Sequence, residues 1–335
     1  MQQGSDRKVS VIIVNWNGEH FLKDCLDSLQ KQSHKNFEVI FVDNFSTDNS
    51  LPTARRLASD FGIDVKFIEL PSNKGFAGGN NEGLKYASGI YIALLNPDTI
   101  VEKDWMKRLV DALESHPDVG ICASKMIVDG ERVIDSAGDG YSTFGHAFKR
   151  GEGEPPDAFS ECEYVFGACA GAAIYRREMI NEIKLFDEDL FVIFEDTDLN
   201  LRAQLSGWKC FYVADAIVYH RVGGSMKKIG HQASYYVVRN DKIVKIKNIP
   251  LGIIFKNLPS LLLGEAIWFL YYIINGKLRY YLKANIDVLK HISYHLKKRR
   301  EVMNLKRVPD KYIESILTSG FKLYGLRRIR RYLSL

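Results

Sequence analysis

The sequence predicts an α/β protein with a doubly wound, mostly parallel sheet and a helical C-terminal extension. Two observations support this fold class. Short apolar runs alternate with helical patterns from residue 9 to residue 124, which is typical of a parallel sheet covered by helices. The charge balance then changes: residues 1–276 carry 30 basic and 37 acidic side chains, whereas residues 277–335 carry 16 basic and 4 acidic. We therefore expect two domains, residues 1–240 and residues 241–335.

The alternation defines the order of the predicted elements. Strands are expected where short apolar runs are bounded by turn residues, at 9–14, 37–42, 65–70, 90–95, 119–124, 167–175, 208–213 and 216–219. Helices are expected at 21–29, 50–61, 75–86 and 103–114. Residues 127–160 are rich in glycine, aspartate and aromatic residues, which favours hairpins and a mobile connection.

The strand at residues 90–95 leads directly into Asn96, Pro97 and Asp98. Because proline cannot donate to a sheet, the strand should end there and leave Asp98 just beyond its carboxyl end. Open α/β sheets bind ligands at this edge, and a carboxylate held there is a natural ligand for a hard divalent cation. The alternative is that Asp98 only caps the helix that begins near Glu102.

Three other polar clusters also follow predicted strands, so we expect them at the same sheet edge. They are residues 15–17, 43–48 and 72–74. The last one opens a loop, residues 72–83, that contains four glycines and runs into a helix. Such a loop lets the backbone approach an anionic ligand closely, although it lacks the dinucleotide-binding fingerprint. A tight turn that needs positive φ is the alternative.

Two later features could carry chemistry. Glu195, Asp196 and Asp198 crowd the start of a predicted helix, where one acid in a cleft could act as a general base. The alternative is that they complement the helix dipole. His220 follows a strand and leads into a loop rich in glycine and lysine, where it could meet a metal or a phosphate. A lone histidine is more often structural.

Seven motifs, in this order and at these spacings, resemble the family-2 glycosyltransferases of the GT-A fold, and especially their rhamnosyltransferase-like branch. They lie between residues 8 and 240 and read VSVIIVNWNG, VDNFSTDNS, NKGFAGGNNEG, LNPDT, GAAIYRRE, FDEDLFVIFEDTDLNLR and YHRVGGS. The resemblance implies that the chain binds a nucleotide-sugar donor and a glycan acceptor.

The resemblance also implies roles for individual residues. Asp196 would be the general base, and Asp98 and His220 would hold Mg²⁺ or Mn²⁺ at the donor diphosphate. The donor would be bound by Asn15, Asp43, Asn73, Lys74, Gly75 and Asn96, with Asp43 near the nucleobase. The D-x-D metal motif of the family begins with an amide here, because its first position is Asn96. An amide can hydrogen-bond a ribose hydroxyl but adds no charge to a metal site.

The reaction implied by the resemblance is the transfer of one sugar with inversion. Rhamnose from dTDP-rhamnose is the first expectation, followed by galactose, glucose or N-acetylglucosamine from UDP. The Q-x-x-R-W motif of processive members is absent from residues 232–240, which favours non-processive transfer. Two alternatives remain: a nucleotidyltransferase, which would need a triphosphate clamp, and a catalytically inactive sugar-nucleotide-binding scaffold, which would not need Asp98, Asp196 and His220.

Residues 250–276 bear on where the protein works. They are long and apolar enough to suggest a membrane span, but Glu265 lies near the middle and basic residues flank both sides. We therefore expect an interfacial or re-entrant segment on an anionic membrane surface, which would suit a polyprenyl-diphosphate-linked acceptor. The alternative is a soluble helical domain or a homodimer interface.

The remaining sequence features predict a cytoplasmic location at the inner face of the membrane. The five cysteines have neither zinc-site nor C-x-x-C spacing, so we expect reduced thiols. The first residues do not have the pattern of a signal peptide. We expect no nucleic-acid partner.

Overall fold

The computed structural model describes residues 7–222 and 229–323. Its strands are β1 (Val9–Asn15), β2 (Phe37–Asp43), β3 (Val65–Glu69), β4 (Tyr91–Leu95), β5 (Thr99–Val101), β6 (Val119–Val128), β7 (Ile134–Ser136), β8 (Asp139–Tyr141), β9 (Ala147–Lys149), β10 (Glu163–Val165), β11 (Ala172–Arg176) and β12 (Lys209–His220). Its helices are α1 (Glu19–Gln30), α2 (Ser50–Phe61), α3 (Gly75–Leu84), α4 (Trp105–Ser115), α5 (Arg177–Ile183), α6 (Glu195–Ser206), α7 (Gln232–Asn248), α8 (Leu251–Lys256), α9 (Leu258–Ile274), α10 (Leu278–Lys290), α11 (Ile292–Leu305), α12 (Asp310–Ile316) and α13 (Gly320–Leu323).

The main sheet confirms the predicted doubly wound, mostly parallel architecture. Its strands run in the order β10-β12-β6-β11-β4-β1-β2-β3, with β5 added beside β12 and β7 beside β6. Strands β4, β1, β2 and β3 are parallel, whereas β11 is inserted antiparallel between β4 and β6. The carboxyl ends of the parallel strands therefore meet at one edge, where the polar loops begin.

Helices cover both faces of the sheet, which explains why strands β1 and β4 consist mostly of apolar residues. One core layer packs α1, α2 and α4 against the sheet, and the other packs α3, α5 and α6 against the opposite face. Every residue of β1 and β4 is buried. A strand that is covered on both sides cannot alternate polar and apolar residues, so the continuous apolar runs follow from this architecture.

Three predicted strands differ from the structure. The strands expected at 208–213 and 216–219 form one strand, β12, whose register against β6 shifts between Val213 and Ile217. This irregularity absorbs the interruption that the sequence pattern indicates. Of the strand expected at 167–175, only the part from Ala172 joins the sheet. Before it, the small residues Gly167 and Ala168 let the side chain of Asn200 on α6 pack against the backbone.

The C-terminal helices pack back onto the rest of the chain. Helix α7 contacts α10 and α11, and it spans the predicted boundary between residues 240 and 241. Helix α9 is anchored through Glu265, whose carboxylate pairs with Lys242 and Lys245 of α7 at 2.5 and 2.8 Å. Glu265 therefore interrupts the apolar segment because it makes partly buried ion pairs within the protein. Over the described part of the chain, no helix combines the length and the apolar character needed to cross a membrane.

Candidate active site

The first part of the site lies where β1 and β2 end side by side. Asn15 and Asp43 are paired in register, and both contact Ser46. The side-chain amide of Asn15 donates to the hydroxyl of Ser46, and the backbone N–H of Ser46 donates to Asp43 Oδ2. Asn15 Oδ1 and Asp43 Oδ1 are buried but have no hydrogen-bond partner among the described residues. Buried acceptors normally have a donor, so these two oxygens are suited to N–H or O–H groups of a ligand.

The glycine-containing loop is fixed to this corner by Asn44, a residue that the sequence analysis did not single out. Its side chain donates to Asn73 Oδ1 at 3.0 Å and accepts the backbone N–H of Lys74 at 2.8 Å. Gly75 has φ of +71°, and a Cβ atom there would lie 2.3 Å from the carbonyl oxygen of Phe191. The loop therefore requires glycine at this position both for its conformation and for the close approach of Phe191.

The strand β4 ends as predicted, and Asp98 lies beyond it with 7% of its surface exposed. The backbone holds this turn: Asn96 N–H donates to the carbonyl oxygen of Gly171, and the Asp98 carbonyl accepts the N–H of Arg221. Asp98 Oδ1 is buried and lacks a hydrogen-bond donor within residues 7–222 and 229–323. The imidazole of His220 lies close by, with its Nε2 at 3.6 Å from this oxygen.

His220 stands at the end of β12, where it pairs in register with Thr99, the residue after Asp98. Its Nδ1 donates to Asp135 Oδ2 at 2.9 Å. Burial disfavours the charged imidazole, but the hydrogen bond with Asp135 and the nearby carboxylate of Asp98 outweigh it and raise the pKa of His220 to about 9. For Asp135, burial is likewise outweighed by His220 and Lys149, which lower its pKa to about 2.

A cavity of about 780 Å³ opens at this edge of the sheet. Its wall brings together five of the predicted site residues: Asn73, Gly75, Asn96, Asp98 and Asp196. The four others lie behind the wall or beside it, namely Asn15, Asp43, Lys74 and His220. Lys74, which directly precedes α3, is ion-paired with Glu82 of that helix, so its ammonium group already has a partner. The glycine- and lysine-rich loop predicted after His220 lies mostly outside the described residues, at 223–228.

The three acids at the start of α6 have different environments. Asp196 lines the cavity, and its pKa is raised because burial outweighs the N–H groups of Thr197 and Ala170 that donate to it. Burial and then the charge of Asp196 raise the pKa of Glu195 well above its usual value. Asp198 is fully buried and pairs with Lys247 at 2.7 Å and Arg202 at 2.9 Å. Asp198 therefore has a structural role.

The residues directly before these acids are strained. Phe191, Ile193 and Phe194 have positive φ values of 59°, 72° and 72°, which residues other than glycine rarely adopt. The buried side-chain amide of Asn240 on α7 donates to the carbonyl oxygens of Leu190, Val192 and Ile193 at 2.8 to 2.9 Å. Because Phe191 to Phe194 line the cavity, this contact holds one wall of the site.

Two cavity residues were missed by the sequence analysis. Asp139 and Lys149 lie on β8 and β9, the two strands of a hairpin. Both face the cavity, and neither belongs to a recognised motif. Burial and then the charge of Asp196 raise the pKa of Asp139 well above its usual value. The only signal was the accumulation of acids and glycines at residues 135–140, within the segment expected to form hairpins.

A divalent cation fits the Asp98 corner in part. The unpartnered oxygen of Asp98 and the nearby imidazole of His220 are ligand types that Mg²⁺ or Mn²⁺ accepts. The described residues contain no group of three or more histidines, cysteines, aspartates or glutamates that could hold a metal alone. A cation here would therefore need further ligands from a phosphate group and water, which is how Mg²⁺ commonly binds in sites for phosphorylated substrates.

Comparisons with known proteins show the family to which the chain belongs. The family model described as glycosyl transferase family 2 matches residues 10–184. The amylovoran biosynthesis glycosyltransferase AmsB of Erwinia amylovora is 30% identical over 229 residues, which cover 65% of this chain and 71% of AmsB. An uncharacterized glycosyltransferase of Nostoc, alr2836, is 32% identical over 131 residues, 39% of this chain and 40% of that protein. This match thus spans less than half of the relative's length, as do several others.

The fold is shared with solved glycosyltransferases. The mannosyltransferase PcManGT of Pyrobaculum calidifontis, solved with GDP-mannose and Mn²⁺, superposes with a TM-score of 0.54 at 17% identity. The superposition covers 97% of this chain and 83% of PcManGT, so it includes the C-terminal helices.

Proposed function

Because the chain belongs to glycosyl transferase family 2, we propose that it is an inverting, metal-dependent, non-processive glycosyltransferase that acts in the assembly of a cell-surface polysaccharide. The observation that carries this proposal is that Asp98 and Asp196 lie in the wall of the same cavity. One carboxylate has an unpartnered oxygen beside an imidazole, and the other has a raised pKa. A metal–diphosphate site and a general base in one cavity are the two parts that this reaction needs.

The donor nucleotide would occupy the corner formed by β1, β2 and the glycine-containing loop. The free acceptors Asn15 Oδ1 and Asp43 Oδ1 would accept from the nucleobase or the ribose. The backbone at Asn73 and Gly75 leads into the N-terminus of α3, which favours the negative charge of a phosphate. Asn96 would contact the donor as a neutral group.

Mg²⁺ or Mn²⁺ would be held by Asp98 and His220 together with the donor diphosphate. When bound, the cation would supply positive charge next to the oxygen that leaves with the diphosphate. Asp98 contributes the only carboxylate of the altered D-x-D motif, since the first position is Asn96. The affinity for metal without nucleotide should consequently be low.

The general base would be Asp196. Its raised pKa makes it a better proton acceptor than an ordinary carboxylate. As the acceptor hydroxyl oxygen forms a bond to the anomeric carbon, its proton passes to Asp196, and the bond from that carbon to the diphosphate oxygen breaks. The attack comes from the face opposite to the leaving group and inverts the anomeric carbon, so no covalent sugar–enzyme intermediate forms.

The surface of the C-terminal helices supports a peripheral position on an anionic membrane. Helix α9 exposes an apolar stripe, which consists of Leu258, Leu262, Leu263, Phe269, Leu270, Ile273 and Ile274. Exposed cations lie on the neighbouring elements, at Lys256, Arg279, Lys283, Lys290 and Lys297. An apolar stripe bordered by cations suits the interface of a bilayer with anionic headgroups better than a second copy of the same cationic surface. The acceptor would then be a polyprenyl-diphosphate-linked glycan.

The identity of the donor sugar is the most specific claim of this proposal. The resemblance to the rhamnosyltransferase-like branch supports dTDP-rhamnose. The test is the release of nucleoside diphosphate from a panel of dTDP-, UDP- and GDP-sugars, with and without a lipid-linked glycan acceptor. We expect one donor to be turned over, with an acceptor-dependent rate that EDTA abolishes. Turnover of no donor under any of these conditions would favour an inactive sugar-nucleotide-binding scaffold.

A further inference from the structure

Two short segments distant in sequence meet behind Asp98. Strand β12 pairs with one edge of β6 up to its last residue, so His220 lies opposite Val128. Strand β7 pairs with β6 at Met126 and Ile127, which places it on the other edge. Asp135, in the middle of β7, reaches across the end of β6 and contacts His220.

The contact determines which nitrogen of His220 faces Asp98. A carboxylate only accepts hydrogen bonds, so Nδ1 must carry the hydrogen that is shared with Asp135 Oδ2 over 2.9 Å. The ring is then oriented with Nε2 towards Asp98 Oδ1, 3.6 Å away. In metal sites, a carboxylate that accepts from one histidine nitrogen commonly fixes the ring so that the other nitrogen is free to bind.

Asp135 is itself held in place and kept away from substrate. Only 4% of its surface is exposed, and its other oxygen, Oδ1, accepts from Lys149 Nζ at 2.6 Å. Lys149 faces the cavity, whereas the described cavity wall does not include Asp135. Asp135 can therefore act on a ligand only through His220 or Lys149.

We propose that Asp135 is the positioning residue of the cation site: it orients His220 so that Nε2 and Asp98 Oδ1 together bind the divalent cation of the donor complex. This inference rests on the proposed function, because it requires a cation at Asp98. The inference goes beyond the proposed function because it assigns a role to Asp135, a buried residue that none of the sequence motifs contains.

The test is retention of Mn²⁺ by the full-length protein, measured by electron paramagnetic resonance in the presence of UDP and, in parallel, dTDP. Asp135→Asn should weaken Mn²⁺ binding by 10- to 100-fold, the range typical for loss of a carboxylate behind a histidine ligand. His220→Gln should cause a similar loss. The control Lys149→Met removes the other partner of Asp135 and should change Mn²⁺ affinity by less than about threefold.

The outcomes separate this inference from the proposed function. If the wild-type protein fails to retain Mn²⁺ both in the presence of UDP and in the presence of dTDP, metal-dependent transfer is wrong, and the role of Asp135 is wrong with it. If the wild type retains Mn²⁺ and Asp135→Asn retains it equally well, only the role of Asp135 is overturned. An equal loss in Lys149→Met would also overturn it. Removal of a positive charge should not weaken cation binding, so the shared loss would reflect a general disturbance of the pocket rather than the orientation of His220.

A measurement on the wild type covers the case in which Asp135→Asn does not fold. Nitrogen-15 NMR of histidine-labelled protein with Mg²⁺ and the nucleotide that binds, with His220→Gln for assignment, reports which ring nitrogen carries the hydrogen. We expect a protonated Nδ1 and an unprotonated Nε2. A protonated Nε2 in that complex would contradict the proposal.

Discussion

The side-chain amide of Asn240 donates to the carbonyl oxygen of Ile193 over 2.8 Å, so helix α7 directly supports the strained residues that precede Asp196. The same amide also reaches Leu190 and Val192. A residue of the C-terminal half of the chain thus shapes the wall of the cavity next to the proposed base.

Asn240→Ala should impair both stability and catalysis. Loss of the amide removes the donor from which the partly buried carbonyl oxygens of Val192 and Ile193 accept, which should lower the free energy of unfolding by about 1–3 kcal/mol. The strained segment should then relax, and kcat should fall at least about tenfold, as is common when a supporting contact shifts a reactive group. The control Asn285→Ala removes an amide that donates to Tyr281 on α10, remote from the cavity, and should leave kcat unchanged. A wild-type kcat for Asn240→Ala would show that the segment does not need this support.

Asp98→Asn should abolish transfer and the dependence of donor binding on divalent metal. The amide keeps the shape of the side chain but removes the charge that holds the cation. The measurement is nucleotide affinity by calorimetry with and without Mn²⁺, alongside the rate of transfer. Asn96→Asp is the informative counterpart, because it restores the D-x-D motif and should raise metal affinity. Transfer by Asp98→Asn near the wild-type rate would refute the metal assignment.

Asp198→Asn should destabilise the protein without a direct effect on the chemistry. Breaking its buried pairs with Lys247 and Arg202 should lower the free energy of unfolding by about 3 kcal/mol. The exposed pair of Asp111 with Lys107 offers a control, since Asp111→Asn should cost about 0–1 kcal/mol.

The pH dependence of this difference follows from the pKa of Asp198. Although burial alone would raise it, the charges of Lys247 and Arg202 lower it below the usual value. A lowered pKa in the folded state gives stability that is complete above the unfolded pKa of about 3.9. The advantage of the wild type over Asp198→Asn in urea unfolding should thus be constant near neutrality and shrink as the pH falls below about 3.9. An advantage that persisted unchanged to lower pH would contradict the ion-pair account.

Binding to anionic vesicles tests the membrane-facing role of α9. Leu270 and Ile274 are 55% and 67% exposed, and the double variant Leu270→Ser/Ile274→Ser should weaken co-sedimentation with phosphatidylglycerol-containing vesicles at least about tenfold. Tyr86→Ser/Ile90→Ser changes two exposed apolar residues outside the C-terminal helices and should have no such effect. Binding of the wild type should weaken as salt rises. Failure of the wild type to bind vesicles, with a dimer that the α9 variant disrupts, would identify the stripe as a homodimer interface.

The sequence predicts the sheet and the ends of its strands because burial on both faces produces continuous apolar runs. It also locates Asp98 and Asp196, since each belongs to a motif whose position in the fold follows from the element order. By contrast, Asp135 and His220 are 85 residues apart, and their contact depends on how β7 and β12 pair with β6. Asn240 lies inside a helix with no pattern that marks it, so its role is visible only once α7 is packed.

The charge asymmetry of the sequence was the least informative observation about structure. It suggested a basic extension that is electrostatically separate from an acidic catalytic part. In the structure, Lys298 of α11 pairs with Asp187 and Asp189 at 2.5 Å, directly before the strained segment. Part of the basic surplus therefore neutralises acids of the catalytic part. Deletion of residues 249–335 would remove Lys298 and disturb the site, so point variants on α9 are the better test of membrane binding.

The kinetics of Asp196→Asn test the central claim most directly, because they ask whether the carboxylate in the cavity wall removes the acceptor proton. Nucleotide-sugar affinity should stay within about threefold of the wild type, while kcat for transfer should fall by about 10²–10⁴. Glu195→Gln and Asp139→Asn, measured in parallel, should reduce kcat less. The account would be contradicted if Asp196→Asn kept a wild-type kcat, if it lost donor binding instead, or if one of the other two acids showed the larger fall.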